Sequence, residues 1–230
     1  MKYLTDSFHP EGNIKDSSGN GYNGLSDGTT YLEEAKLGGG RSLDGTDDYI
    51  ALQDNDYLDF TTGDFTVEAW VKSEMGQETN VWPAIISKDG NTPRYGYALL
   101  LTGASGSYVG PIFQIFNNGT IESAIGNQSI RDGLWHHLVG VKTSSTLSLY
   151  VDGVLEDTEN HSLGSISQTD FPFTIGKFSW TEGHVVEGLI DEVRVSDSAR
   201  TADEIRQAYE VGRRTHSVTI DFRADLESGN

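Results

Sequence analysis

The sequence predicts an all-β fold in which two antiparallel sheets pack as a sandwich. Short runs rich in β-branched and aromatic residues recur along the chain, and Gly, Asn, Asp and Ser fill the connectors between them. Gly alone accounts for 27 of the 230 residues. One stretch, close to the C-terminus, has helical periodicity. A sandwich of this length is commonly a single domain with a substantial core.

The strands are predicted from apolar alternation. Nine runs share it: residues 49–52, 65–72, 84–88, 95–101, 111–116, 135–142, 147–151, 173–178 and 189–195. The connectors "GTDD", "KDGN", "NNGT" and "VDGV" carry residues that allow positive φ or Asx turns, which is typical of antiparallel hairpins. The hairpin turn at Asp152 and Gly153 is the clearest of these local signals.

A single short helix is predicted near the C-terminus. Thr201 can cap it, Glu204 completes a capping box, Ile205 and Tyr209 belong to an apolar stripe, and Gly212 ends it. A helix that follows a long run of strands is expected to close the fold.

We therefore place one domain at residues 1–212. Residues 213–230 restart a strand-like alternation at Val218, Ile220 and Phe222. We interpret this segment as a linker or the start of a following module, and the alternative is a last strand of the same domain.

The charge balance excludes two classes of partner. The chain has 35 acidic and 16 basic residues, for a net charge of −19, so nucleic acid and anionic membrane surfaces would be repelled. Membrane insertion is not expected, because no segment approaches the roughly 20 apolar residues of a spanning helix. The first thirty residues lack the apolar core of a signal peptide. Cysteine is absent, so neither disulfides nor thiolate chemistry can contribute.

The run "LIDEVRV", residues 189–195, contains an acidic residue, Asp191, at a position where alternation predicts an apolar one. Simple alternation puts Asp191 on one face with Leu189, Val193 and Val195. Burying a bare carboxylate costs several kcal/mol or more, so Asp191 should have a partner. Either a cation or backbone N–H groups can serve.

The order of the motifs resembles a known family. They are "DSSGNGYNG" (16–24), "SLDGTDDYIAL" (42–52), "FTVEAWVKS", "IISKDG", "DGLWHHLVGVKTSSTLSLYVDGVLEDT" and "FTIGKF…GLIDEVRVSDSARTADEI". Together they resemble a LamG-like jelly roll of the concanavalin A-like lectin/glucanase superfamily. The resemblance implies two curved antiparallel sheets packed face to face, and since one fold carries many functions it implies less about activity.

The resemblance also implies a structural calcium ion at the edge of the sandwich. Its ligands would be Asp191, the carboxylates of Asp44 and Asp48, the carbonyl of Gly45, and Asp16. Calcium takes six to eight oxygen ligands, which carboxylates and turn carbonyls can supply. The alternative is that the acids of the turns form Asx turns and that Asp191 accepts backbone N–H groups.

Catalysis is not expected. The glucanase branch of the superfamily carries its two carboxylates as Glu-x-Asp-x-x-Glu on one strand. The chain contains no Glu-x-Asp, and it lacks a Gly-x-Ser-x-Gly elbow, a His-Glu-x-x-His pair and a phosphate loop.

Aromatic residues outside the strands suggest a carbohydrate site instead. Sugar rings dock on exposed aromatic faces while their hydroxyls reach polar side chains. Trp82 and Trp180 lie in connectors, where alternation does not require burial. The predicted ligand-binding residues are Trp82, Arg94, Tyr95, Tyr97, Trp180 and His184, with Tyr108, Asn80, Asn91 and Glu182 as further candidates. The alternative is that the connector tryptophans plug the ends of the core.

The sequence thus predicts a non-catalytic carbohydrate-binding or adhesive module, stabilised by calcium. Its expected partners are a glycan or another extracellular polymer and other domains of the same polypeptide, and its expected location is secreted or at the cell surface. Two alternatives remain. A structural spacer predicts that Trp82 and Trp180 are buried or scattered without a groove, and a glycan-active hydrolase or lyase predicts two carboxylates facing each other across a cleft.

Overall fold

The computed structural model describes most of the chain. Described are residues 2–4, 13–32, 34–73, 82–90, 92–102, 109–163, 165–166, 170–181 and 183–214, with residues 2–4 and 13 described by their backbone. The predicted strand-like segment at residues 218–222 lies outside these residues.

Sixteen strands, one 3₁₀ turn and one α-helix make up the described part. The strands are β1 (Lys2–Leu4), β2 (Asn13–Ile14), β3 (Gly24–Asp27), β4 (Thr30–Leu32), β5 (Gly40–Asp44), β6 (Tyr49–Leu52), β7 (Phe65–Lys72), β8 (Ala84–Asp89), β9 (Gly96–Leu100), β10 (Ile112–Asn117), β11 (Thr120–Ile125), β12 (Trp135–Lys142), β13 (Thr146–Val151), β14 (Val154–Asn160), β15 (Phe173–Ile175) and β16 (Glu187–Ser196). The 3₁₀ turn is Asp56–Leu58 and the helix, α1, is Ala202–Gly212.

The strands form two antiparallel sheets, which confirms the predicted sandwich. The helix-side sheet has the order β14-β13-β12-β7-β16-β5-β4, and β1 pairs with β16. The groove-side sheet has the order β11-β10-β9-β8-β15-β6-β3-β2. The predicted turn at Asp152 and Gly153 joins β13 to β14, with positive φ at both residues.

The main core lies between the inner faces of the two sheets. On β7, Phe65, Val67, Ala69 and Val71 point into it, as the alternation predicts. Gly140 on β12 lets the sheets approach closely, because a Cβ atom there would lie 2.4 Å from the ring of Phe113.

The alternation breaks in β16 because the strand contains a β-bulge. The pairing with β7 shifts register between Asp191, opposite Trp70, and Arg194, opposite Glu68, so that two residues of β16 face one residue of β7. Glu192 within the bulge has φ of 50°.

The bulge changes which residues of β16 face the core. Ile190 points inward before it, and Val193 and Val195 point inward after it. The prediction that Asp191 shares a face with Val193 and Val195 is therefore wrong. Asp191 lies on the outer face of the helix-side sheet, beside Trp70.

The helix α1 covers the outer face of this sheet. Its predicted capping box is present: Glu204 N–H donates to the Thr201 side chain, and the Glu204 carboxylate accepts from Thr201 N–H. The Trp70 ring stacks on the ring of Tyr209 at 5.7 Å and lies beneath Gly212. In the part of the chain described above, no helix is long and apolar enough to cross a membrane.

Candidate functional site

A second apolar cluster lies on the outer face of the groove-side sheet. Outward-facing residues of β8, β9 and β10 form it together with the segment after β15. Its buried members are Ala84, Ala98, Leu100, Ile112, Phe116 and Phe178, and Trp82, Ile125 and Trp180 pack partly buried against them. The partly exposed rings of Trp82 and Trp180 give this face an apolar surface of the kind that lines small-molecule sites.

A groove opens above this cluster. Its volume is ≈ 350 Å³, and its lining consists of Trp82, Arg94, Gln114, Ile121, Phe178, Trp180 and His184. Four of the predicted ligand-binding residues, Trp82, Arg94, Trp180 and His184, thus lie together. Trp82 precedes β8 and Arg94 follows it. Trp180 and His184 lie in the connector after β15, which pairs with β8, so the three segments meet over the outer face of the sheet.

A buried carboxylate, Asp89, positions two of the groove residues. Arg94 Nε donates to Asp89 Oδ2 at 2.7 Å, and Trp180 Nε1 donates to the same oxygen at 3.0 Å. Burial raises the pKa of Asp89, and the charge of Arg94 together with hydrogen bonds from Ser87 and Trp180 opposes that rise. The Asp89 side chain has no exposed surface, so it orients the groove without touching a ligand.

The sequence did not reveal the role of Asp89. Its position in "KDGN" indicates a turn acid, and only the pairing of β8 with β9 and β15 brings Arg94 and Trp180 to it.

Aromatic rings of the groove and of the cluster beneath it surround the Arg94 guanidinium. Its carbon lies 3.6 Å from the ring centroid of Phe116, 5.0 Å from that of Phe178 and 5.7 Å from that of Trp180. Contacts of this kind are worth about 0.5–2 kcal/mol each, depending on exposure. Arg94 is therefore held in one orientation by Asp89 and by the rings around it.

His184 fixes the backbone at Trp82. The Trp82 N–H donates to Nδ1 of His184 at 3.2 Å, and the Ala84 N–H donates to the His184 carbonyl at 3.2 Å. The backbone of His184 is left-handed, with φ of 63°, and its ring meets the ring of Phe178 edge-on at 5.7 Å. These contacts tie the two tryptophan-bearing connectors together.

Two of the predicted ligand-binding residues lie elsewhere. Tyr97 is 1% exposed within the main core, where its hydroxyl donates to the carbonyl of Leu58 at 3.0 Å, so its prediction as a ligand contact is wrong. Alternation on β9 turns it inward. Tyr95 is half-buried, does not line the groove, and donates to the Asn118 side chain at 3.3 Å.

The other sugar-contact candidates cannot be placed. Tyr108, Asn80, Asn91 and Glu182 lie outside the described residues.

Backbone N–H groups satisfy the carboxylate of Asp191. Its Oδ2 accepts from the N–H groups of Lys36 at 2.9 Å and Leu37 at 2.8 Å, and its Oδ1 accepts from Glu192 N–H at 2.7 Å. Asp191 is 6% exposed, so these bonds offset its burial. This arrangement matches the alternative of N–H partners.

The other predicted calcium ligands lie in two separate turns. Asp44, Asp47 and Asp48 place carboxylate oxygens within 4.8 Å of one another, in the turn that contains Gly45 between β5 and β6. Asp16 accepts from Ser18 and from the N–H of Tyr22 within its own turn. Neither Asp191 nor Asp16 belongs to the group, so the structure does not assemble the five predicted ligands into one site.

The three grouped acids nevertheless suit calcium as a donor set. Asp48 is 7% exposed, and burial raises the pKa of its carboxyl, as do the neighbouring charges of Asp44, Asp47 and Asp27. Crowded carboxylates with hard oxygen donors are the ligands that calcium prefers.

A second cavity lies between α1 and the helix-side sheet. Glutamates line it, so it is the place to look for the paired carboxylates of a hydrolase. Its volume is ≈ 400 Å³, and Glu68, Glu192 and Glu204 are among its lining residues. Glu68 is ion-paired with Arg194 Nη1 at 2.8 Å and with Arg200 Nη1.

The neighbouring groups hold Glu68 ionised. Burial would raise the pKa of Glu68, but a hydrogen bond from His137 and the charges of Arg194 and Arg200 lower it overall. Glu204 is engaged in the capping box. Glu68 therefore joins β7 to the segment that leads into α1, through Arg200, and Glu204 caps the helix. Burial raises the pKa of Glu192, the third glutamate of the lining, and the charge of Arg194 opposes that rise.

Solved structures with similar folds include carbohydrate-binding and toxin domains. The binding domain of Paraclostridial Mosquitocidal Protein 1 superposes with a TM-score of 0.74 at 16% identity, over 91% of this chain and 51% of that chain. Domain 4 of AbnA, a GH43 extracellular arabinanase from Geobacillus stearothermophilus in complex with arabinotriose, superposes with a TM-score of 0.68 at 21% identity, over 90% and 98%.

A third structure concerns botulinum neurotoxin type C, whose cell entry depends on interaction with two ganglioside molecules. It superposes with a TM-score of 0.71 at 12% identity, over 94% of this chain and 51% of that chain. The chain thus spans about half the length of the toxin structures and nearly all of the arabinanase domain. At these identities the similarity establishes the fold.

The sequence itself matches a family model. No curated protein matches the chain at a significant level. A laminin G-type model matches residues 44–206, which is well over half of the chain. This stretch contains the strands from β6 to β16 and the start of α1, and therefore the bulge, the acidic turn and the groove. The chain belongs to the concanavalin A-like lectin/glucanases superfamily.

Proposed function

We propose that the protein is a non-catalytic carbohydrate-binding module that holds a glycan in the groove on the groove-side sheet. The observation that carries this proposal is the convergence of Trp82, Trp180, Arg94 and His184 on one groove. These residues come from three connectors, and packing the main core does not require them to meet.

The chemistry of the groove suits a sugar. Trp82 and Trp180 are partly exposed and line the groove, and the C–H groups of a sugar ring can pack on aromatic rings of this kind. Arg94 and His184 add polar groups at the edge of these faces. A volume of ≈ 350 Å³ lies within the range of small-molecule sites.

The comparisons support a binding role. The AbnA domain, which the chain matches over 98% of its length, has been solved with arabinotriose, and the two toxin structures are a binding domain and a protein whose cell entry depends on gangliosides. A spacer domain would not need two partly exposed tryptophans in one groove. By the same analogy we propose that the module belongs to a larger secreted or cell-surface protein and acts beside its other domains.

A glycan array tests the proposal. The parent protein should bind at least one class of oligosaccharide, and Trp82→Ala and Trp180→Ala should each weaken that binding by about tenfold or more, because a stacked sugar ring loses its platform. Tyr57→Ala is the matched control, since Tyr57 is 66% exposed and does not line the groove.

The outcome separates the three functions. Silence of the parent protein on a broad array would favour the spacer. Binding that Tyr57→Ala weakens as much as Trp82→Ala would exclude the groove as the site. Release of reducing ends from a bound glycan would indicate the hydrolase alternative.

We also propose a structural calcium ion at the turn of Asp44, Asp47 and Asp48, in place of the ligand set expected from the sequence. A divalent cation would offset the crowding of these carboxylates and stiffen the β5–β6 turn. Calcium should raise the melting temperature and chelator should lower it, and Asp48→Asn should abolish the difference. An identical melting temperature with calcium and with chelator would rule the ion out.

A further inference from the structure

We infer that the groove selects glycans that carry a carboxylate, such as a uronic or sialic acid residue, over their neutral counterparts. The inference rests on the proposed carbohydrate-binding function and adds the chemical class of the ligand. Its basis is the pair of hydrogen-bond donors that Arg94 and His184 contribute to the lining of the groove.

Arg94 presents one end of its guanidinium to the groove. Nε is bonded to Asp89, and Nη2 is buried without a hydrogen-bond partner. Nη1 has no partner within the described part of the chain and is not buried, so it belongs to the 21% of the side chain that is exposed. Arg94 therefore offers N–H donors at a fixed position, at the edge of the aromatic lining.

His184 offers a second donor. Because Nδ1 accepts the N–H of Trp82, it carries no proton, and a neutral imidazole then carries its proton on Nε2. Among the residues that the structure describes, nothing bonds to this Nε2, and it is not buried. The N–H of Nε2 is therefore free for a ligand.

Two hydrogen-bond donors favour a ligand group that only accepts hydrogen bonds. A carboxylate has two acceptor oxygens and no proton, whereas each hydroxyl of a neutral sugar also needs an acceptor for its own proton. The described lining contains no Asp or Glu, which are the acceptors that could serve hydroxyl groups. Gln114 donates through Nε2 to Ser123 at 3.0 Å, which leaves its Oε1 as an acceptor for one ring hydroxyl.

The charge of the whole chain limits the ligand to few carboxylates. At a net charge of −19 a polyanion would be repelled along its length. A single carboxylate feels mainly the groups within about 8 Å, the screening length at physiological ionic strength. Near Arg94 these include the buried Asp89, whose charge Arg94 already pairs, so the attraction comes from the N–H donors that Asp89 does not use. Charge-assisted hydrogen bonds from Arg94 can therefore outweigh the distant repulsion.

Matched ligands test the selectivity. The array carries oligosaccharides that end in glucuronic, galacturonic or sialic acid, each beside the same oligosaccharide with its carboxyl reduced to an alcohol. At least one acid should bind roughly tenfold more tightly than its reduced partner, the effect of one charge-assisted hydrogen bond. The preference should shrink as sodium chloride is raised.

Two variants separate selectivity from folding. Arg94→Gln alone would leave Asp89 buried without its cation, so it is combined with Asp89→Asn, which keeps an acceptor for Trp180 Nε1. His184→Asn retains an acceptor for the Trp82 N–H, lacks the Nε2 donor, and tolerates the left-handed backbone, which Asn adopts more readily than most residues. Melting temperatures identify any variant that fails to fold.

The results separate the selectivity for carboxylates from carbohydrate binding itself. In the double variant the preference for acids should disappear while weak binding of the reduced sugars remains, and His184→Asn should reduce the preference several-fold. Equal binding of acid and reduced ligands by the parent protein would overturn the selectivity and leave the proposed function intact. Binding of no glycan at all would overturn both.

Discussion

Replacing Asp191 tests whether this buried acid is an N–H acceptor or a metal ligand. In Asp191→Asn one oxygen can still accept from Lys36 and Leu37, but the new NH₂ group faces the N–H of Glu192. Losing one hydrogen bond to a charged acceptor and leaving its donor unpaired costs about 2 kcal/mol. Asp191→Ala removes these three acceptor contacts, and its cost should be about 4 kcal/mol.

Urea unfolding measures both losses. For a chain of this size about 2 kcal/mol corresponds to a decrease of about 6 °C in melting temperature. Each variant is measured with calcium and with chelator. Because the partners of Asp191 are backbone N–H groups, the loss should be the same in both buffers.

Asp47→Asn is the matched control, since Asp47 is an exposed member of the acidic group and should respond to calcium if an ion binds there. A loss for Asp191→Asn that appears with calcium and vanishes with chelator would refute the reasoning. It would make Asp191 a metal ligand after all.

Two further substitutions probe the sandwich. Glu68→Gln should cost about 3 kcal/mol at neutral pH, because it leaves Arg194 and the neighbouring cations around an uncharged side chain. The pKa of Glu68 is lowered in the folded protein, so its contribution to the free energy of unfolding is present above the unfolded pKa and is lost as the pH falls through the folded pKa. Urea unfolding from pH 7 to pH 3 should therefore show that the stability of the variant declines less steeply with acid than that of the parent protein. Gly140→Ala should lower the free energy of unfolding by about 1–3 kcal/mol, since its Cβ would lie 2.4 Å from the Phe113 ring. Adding Phe113→Leu should recover part of that loss. Unchanged stability of the single variant in urea unfolding would mean that the two sheets can move apart at this point.

Local patterns determined most of the fold. Alternation of apolar residues placed the central strands, the Asp152–Gly153 turn placed a hairpin, and the capping box at Thr201 placed the helix. Each of these signals depends on residues a few positions apart, so it can be read without knowing the tertiary structure.

The partners of Asp191 could not be read in this way. The alternation of "LIDEVRV" fails at the bulge, because an extra residue between Asp191 and Arg194 reverses the faces, and the bulge exists only relative to β7. The N–H donor Lys36 lies 155 residues away in the sequence. No local pattern encodes a hydrogen bond over that separation.

The sequence by itself determined that tryptophans lie in connectors, and only the tertiary structure decided that two of them share a groove. Trp82 and His184 are 102 residues apart and meet because β8 and β15 are neighbours in the sheet. The same strand order brings Asp89 beneath Arg94 and Trp180, whereas the inward face of β9 removes Tyr97 from the surface. Alternation assigns a residue to a face, but strand pairing, which is non-local, decides which residues on that face become neighbours.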